Sequence, residues 1–194
     1  MNASDDNATN SEGADSLHQR ITELLRDLDA SRAELRALVS SLPAEVLNAP
    51  AKDEQWSVAD ILEHLSMVED GAGRLFTNIA KEVASAGVRE TDTSSVLALN
   101  DAFQIATSPI KVTAPERVAP KAGLSAVESM ARLEAAREKL KSAMTRASGL
   151  ALGSATMPHP LFGPINGYQW VLATSQHEQR HITQLRRVTG FGNA

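Results

Sequence analysis

His177 and His181 stand four residues apart in a stretch, 170–185, that holds no glycine or proline and whose apolar residues recur at helical spacing. On an α-helix such a pair projects from one face. Two imidazoles placed that way are half of a metal site. Neutral imidazole suits Zn, Ni, Cu or Fe, whereas Mg and Ca prefer oxygen. The chain has no cysteine, which removes disulfides, thiolate nucleophiles and thiolate ligands together. Any ion must therefore be held by His, Asp or Glu. His64, on the face that carries Ile61, Val68 and Gly71, is the candidate to complete the set. Alone, a histidine on an apolar face is more often a core residue than a ligand, and an i,i+4 pair also arises by chance.

The same stretch has a rival reading. His177-Glu178-Gln179-Arg180-His181 spells H-E-x-x-H, the zinc-protease pattern in which the glutamate is the general base. Its longer extension fails, because Gln184 stands at the glycine position and Arg187 at the final histidine position. The chain also ends too soon after this helix to supply a third ligand from a later one. The protease reading is set aside.

These side chains need helices to position them, and the composition favours helix. Ala, Leu, Arg and Glu are abundant, aromatic residues are 4% of the 194, and strand-like runs are scarce. Residues 1–14 are polar and acidic and read as a disordered tail, leaving 15–194 as one domain. Asp15 or Ser16 is expected to cap the first helix, whose stripe is Leu17, Ile21, Leu24, Leu28, Leu35, Leu38 and Leu42. Ser57 and Asp60 open a second helix that runs to about Ala86, with Gly87 as its stop. Gly71 and Gly73 within it would allow another helix to approach closely.

The stretch 89–124 is the least regular. Ser95 to Ala106 suggests a short helix, while Pro109, Pro115 and Pro120 interrupt anything long. Ser125 and Glu128 form a capping box for a third helix with the stripe Val127, Met130, Leu133, Leu140, Met144 and Ala147. A loop with Pro158, Pro160 and Pro164 leads to a fourth helix, from Asn166 or Gly167 to Gly190. The expected class is all-α, a four-helix bundle with a long connection between helices two and three. That connection leaves the relative direction of those two helices open.

A net charge of −5 argues against a nucleic-acid partner without excluding a local basic patch. No stretch resembles a signal peptide or membrane span, so the cytoplasm is the expected compartment.

Two motifs together resemble a known family. The run from Trp56 to Leu65, WSVADILEHL, is similar to the helix-two signature of the DinB-like (damage-inducible) superfamily of bacterial four-helix-bundle metalloproteins. The run from His177 to Leu185 resembles its helix-four signature, and HPLFGP at 159–164 with Gln169-Trp170 resembles the usual lead-in. Carried over, the resemblance implies a divalent metal, commonly Ni or Zn, on His64, His177 and His181. Three protein ligands leave positions for water or substrate, as in catalytic sites. Characterised relatives include S-transferases and isomerases that use low-molecular-weight thiols such as mycothiol, bacillithiol or glutathione. The resemblance thus implies a metal-dependent enzyme of thiol-dependent transferase or hydrolase type, with a homodimer expected. The alternative is a non-catalytic metal-binding or stress-response bundle. No residue marks a particular thiol or small-molecule substrate, and none is assigned as catalytic.

The remaining candidates have ordinary roles open to them. Glu178 lies about 100° round the helix from His177 and is expected to face a neighbouring helix or solvent, with a general-base role as the alternative. Glu69 and Gln184 are candidates for orienting imidazoles, weighed against surface or core polarity. His159 is expected in a turn of the Pro-rich loop, with a place bordering the site as the alternative, Trp56 and Trp170 as packing anchors, and His18 beside the first apolar stripe with no chemical task.

Overall fold

Each long helix begins where the sequence places a side chain able to accept from a free backbone amide. The structure is a computed structural model that describes residues 17–50, 56–102, 104–107, 113–121 and 123–191. The expected tail and the expected caps Asp15 and Ser16 lie outside those residues. Helix α1 (Gln19–Ser41) is capped instead by His18, whose Nδ1 accepts from the Arg20 amide at 3.3 Å. Pro43 then opens the single turn α2 (Ala44–Leu47).

Helix α3 (Val58–Ala86) carries the expected capping box. The Asp60 amide donates to Ser57 Oγ, and the Ser57 amide donates to Asp60 Oδ2 at 2.9 Å. Its last turn closes on Gly87 at φ +69°, the left-handed conformation a glycine adopts without a Cβ penalty. Ser125 and Glu128 cap α4 (Ala126–Arg146), and Asn166 and Gln169 cap α5 (Gly167–Thr189). Val127 is not part of the α4 stripe as expected. It is exposed, and Ala126 is buried in its place, because the first turn meets α3 one residue earlier.

The long helices pack as a four-helix bundle whose order of directions follows from the contacts. Val58 and Ala126 share one end of the core, Glu69 meets Arg137 in the middle, and Gly73 faces Leu140. Residue numbers rise together along α3 and α4, so these helices are parallel. Ile21 and Leu24 pack with Tyr168 and Leu172, while Leu35 and Leu38 pack with Ile182 and Leu185, so α1 and α5 are also parallel. Phe76 meets Leu172 and His64 meets His177, which sets α3 against α5.

Parallel α3 and α4 require the chain to return along the whole bundle between them. The described parts of this crossover follow α5. A 3-10 segment (Leu97–Ala102) lies beside Gln176, whose side chain accepts from the Ile105 amide at 2.7 Å. This is the short helix expected between Ser95 and Ala106, in its tighter form. A second 3-10 turn (Glu116–Val118) brings the crossover to His64.

The Pro-rich loop before α5 is not irregular throughout. It contains a two-stranded antiparallel hairpin, β1 (Thr156–His159) and β2 (Gly163–Asn166), with Pro158 opposite Pro164. Proline is tolerated there because a two-stranded ribbon has only edges. No helix among the described residues is long and apolar enough to cross a membrane.

Candidate metal centre

The first turns of α3 and the middle of α5 run past each other in opposite directions, and that crossing brings three imidazoles together. Among the described residues, His64, His177 and His181 form one group whose ligand atoms lie within 4.8 Å of one another. The Nε2 of His177 is 3.3 Å from that of His64 and 3.2 Å from that of His181.

Two of the rings are oriented through their other nitrogen. His64 Nδ1 donates to the Val118 carbonyl at 2.8 Å, and His181 Nδ1 donates to Gln184 Oε1 at 2.7 Å. An oxygen can only accept there, so each Nδ1 carries its ring's proton and each Nε2 presents a lone pair. A proton on His177 Nε2 satisfies only one of those lone pairs at a time. A cation satisfies all three nitrogens, so the donor set fits a metal ion and fits protons poorly.

The electrostatics agree. Burial pushes His64 below the usual histidine range, against the opposing pull of the Val118 carbonyl. It pushes His181 down to about 3. His177 is held well below its ordinary value by burial and by the proximity of His181 and His64. The imidazoles are thus neutral and ligand-ready at neutral pH. His64 and His181 are 4% and 7% exposed, and His177 is the least buried of the three. Trp56 walls one side of the cluster, its ring 4.8 Å from that of His64 and stacked at 6.4 Å on His181. Two surface clefts of about 270 and 380 Å³ are lined by no triad residue, so neither of them opens onto the histidine cluster.

Glu178 does not join the histidines. Its Oε1 accepts from Arg32 Nε at 2.6 Å, and its Oε2 accepts from Arg137 Nη2 and Ser31 Oγ, each at 2.6 Å. Glu69 accepts from the same two arginines, with Arg32 Nη2 at 2.7 Å, and among the described residues it does not belong to the histidine cluster. The four charged side chains are all buried, one from each long helix. Sequence reasoning missed this centre, although a signal existed. The apolar stripes of α1 and α4 each skip one turn, and Ser31, Arg32 and Arg137 occupy the gaps.

Gln184 is the orienting partner that had been a candidate. His159 lies in β1 rather than a turn, its ring 4.8 Å from Phe162 and 4.9 Å from Trp170. It is near enough to His177 for its charge to matter there, but it is not one of the clustered ligands. His18 is a helix cap.

Comparison with known proteins places the chain. It is 24% identical over 159 residues to the uncharacterized protein YuaE of Bacillus subtilis (strain 168), covering 81% of this chain and 92% of that one. The crystal structure of TT2238, a four-helix bundle protein, superposes with a TM-score of 0.56 at 24% identity, over 86% of this chain and 98% of that chain. At that identity the likeness establishes the fold alone. The model of the DinB superfamily matches residues 27–185. With the bundle, the crossover and the histidine cluster in place, that match over most of the sequence shows that the chain belongs to the DinB superfamily.

Proposed function

We propose that the protein binds one divalent transition-metal ion through the Nε2 atoms of His64, His177 and His181, and that the loaded protein is a metal-dependent enzyme of thiol-dependent transferase or hydrolase type. The observation that carries the reading is the convergence of three neutral Nε2 atoms, two of them on rings oriented through Nδ1. An all-imidazole set suits Zn, Ni, Cu or Fe, and the family resemblance narrows the expectation to Ni or Zn. When bound, such an ion supplies Lewis acidity sufficient to ionise water or a thiol near neutral pH.

The chain's own residues hold and shield. Val118 and Gln184 keep protons on Nδ1 and so keep Nε2 free, and Trp56 excludes water from one side. Glu178 accepts no substrate proton in this reading, because both its oxygens are engaged by arginines.

One observation favours a second reading, a non-catalytic metal-binding bundle. Among the described residues no carboxylate clusters with the triad to serve as a general base.

Calorimetric titration of untagged, metal-stripped protein with Ni or Zn tests the first step. One site per chain and a raised melting temperature are expected, and the absence of both overturns the proposal. Loaded protein is then assayed with mycothiol, bacillithiol and glutathione transfer substrates and with ester and amide substrates. Turnover in any of these supports the enzyme, and tight binding without turnover supports the second reading.

A further inference from the structure

The outer face between α3 and α4 carries a groove of about 380 Å³ whose chemistry contrasts with the rest of this acidic protein. Gly73, Ala136 and Ala143 give it a floor of small residues, and Arg74, Lys81, Lys139 and Arg146 line it with cationic side chains. Asp70 is the lone carboxylate in the lining, and it already serves Arg74 and Lys139. Lys81 and Arg146 make no ion pair among the described residues. The groove thus carries a surplus of positive charge in a chain of net charge −5.

The sequence holds one segment of matching character. Residues 1–16 contain Asp5, Asp6, Glu12 and Asp15, and no Lys or Arg. The place where that segment joins the bundle is also known. The His18 amide donates to Ser148 Oγ at 2.8 Å, so the chain enters α1 two residues beyond the Arg146 end of the groove. From Ala136 to Arg146 the α4 side of the groove is about 15 Å long, at ~1.5 Å of rise per residue. Sixteen residues reach up to about 50 Å when extended, at ~3.3 Å each. Reach, point of attachment and charge all match.

We propose that residues 1–16 occupy the α3–α4 groove of their own chain, with Asp and Glu side chains paired to Arg74, Lys81, Lys139 and Arg146 and the segment's small residues over the Gly73–Ala136–Ala143 floor. The groove is remote from the histidine cluster, and the inference stands whether or not the metal reading does. Because exposed ion pairs are individually weak and screened by salt, occupancy is a low-salt property.

The full chain tests this directly. It has no cysteine, so Ser4→Cys provides a unique attachment point for a nitroxide, and amide line broadening is read in isotope-labelled protein. Broadening is expected to concentrate at Thr77, Asn78, Lys81, Lys139 and Arg146. It is expected to disappear at about 0.5 M salt, where the screening length is below ~5 Å. It is also expected to disappear in the exposed charge reversal Lys81→Glu with Arg146→Glu, while the rest of the spectrum is retained. Broadening that is absent, spread evenly over the surface, or unchanged by salt and charge reversal overturns the proposal. So does broadening of isotope-labelled, nitroxide-free chains mixed with unlabelled nitroxide-bearing ones, since that places a second copy in the groove.

Discussion

Arg137 Nη2 donates to Glu178 Oε2 at 2.6 Å, and that contact turns the second residue of the H-E-x-x-H spelling away from the histidines on either side of it. Removing Glu178 leaves two buried guanidinium groups facing only Glu69 and, for Arg32, the partly exposed Glu134. Breaking a buried pair in this way typically costs about 3–5 kcal/mol. Glu178→Ala is therefore expected to lower the melting temperature by roughly 6–20 °C for a chain of this size. Glu178→Gln keeps the shape and is expected to retain metal binding while losing stability. A Gln variant of unchanged melting temperature that had lost all turnover would instead mark Glu178 as a catalytic base.

Gln184 orients His181 without being one of the clustered ligands. Partners of this kind typically contribute about 10- to 100-fold in metal affinity. Gln184→Ala is expected to weaken Ni or Zn binding by that factor, measured by competition with a chelator, with the melting temperature of metal-free protein little changed. An unaltered affinity would mean that the Nδ1 contact does not hold the ring.

Acid should weaken the metal-free fold through the same cluster. His181 stays neutral in the folded protein down to about 3, while an unfolded histidine takes up a proton below about 6.5. The unfolded state therefore binds more protons between those values, and stability falls as pH falls through the window. The depressed values of His64 and His177 act in the same direction. The melting temperature of metal-free protein is expected to decline from pH 7 to 5, with a shallower decline in His181→Ala. Equal slopes in the two proteins would contradict a buried neutral imidazole at that position.

The bundle and the histidines were legible in the sequence because their signals are local. Ser57 with Asp60, Ser125 with Glu128 and Gly87 each mark a helix end within one turn, and His177 and His181 share a face by spacing alone. His64 needed the family resemblance to be joined to them, since 113 residues separate it from His177. The buried quartet of Arg32, Glu69, Arg137 and Glu178 was not legible as a unit, because no local signal pairs a charge on one helix with a charge on another. Its trace is the shared gap in the stripes of separate helices, which takes on meaning only once the helices are aligned. The parallel course of α3 and α4 was hidden by a long connection that permits either direction. The hairpin was hidden by the prolines at 158 and 164, which usually argue against strands.

The central claim is that three imidazole nitrogens hold one ion, and X-ray absorption on Ni- or Zn-loaded protein purified without an affinity tag tests it most directly. The account predicts three histidine nitrogens at about 2.0–2.1 Å in the zinc form of the native chain. It predicts fewer, with metal content reduced to the same extent, in His64→Ala and in His181→Ala. A metal shell without histidine, or one that His64→Ala leaves unchanged, would contradict it.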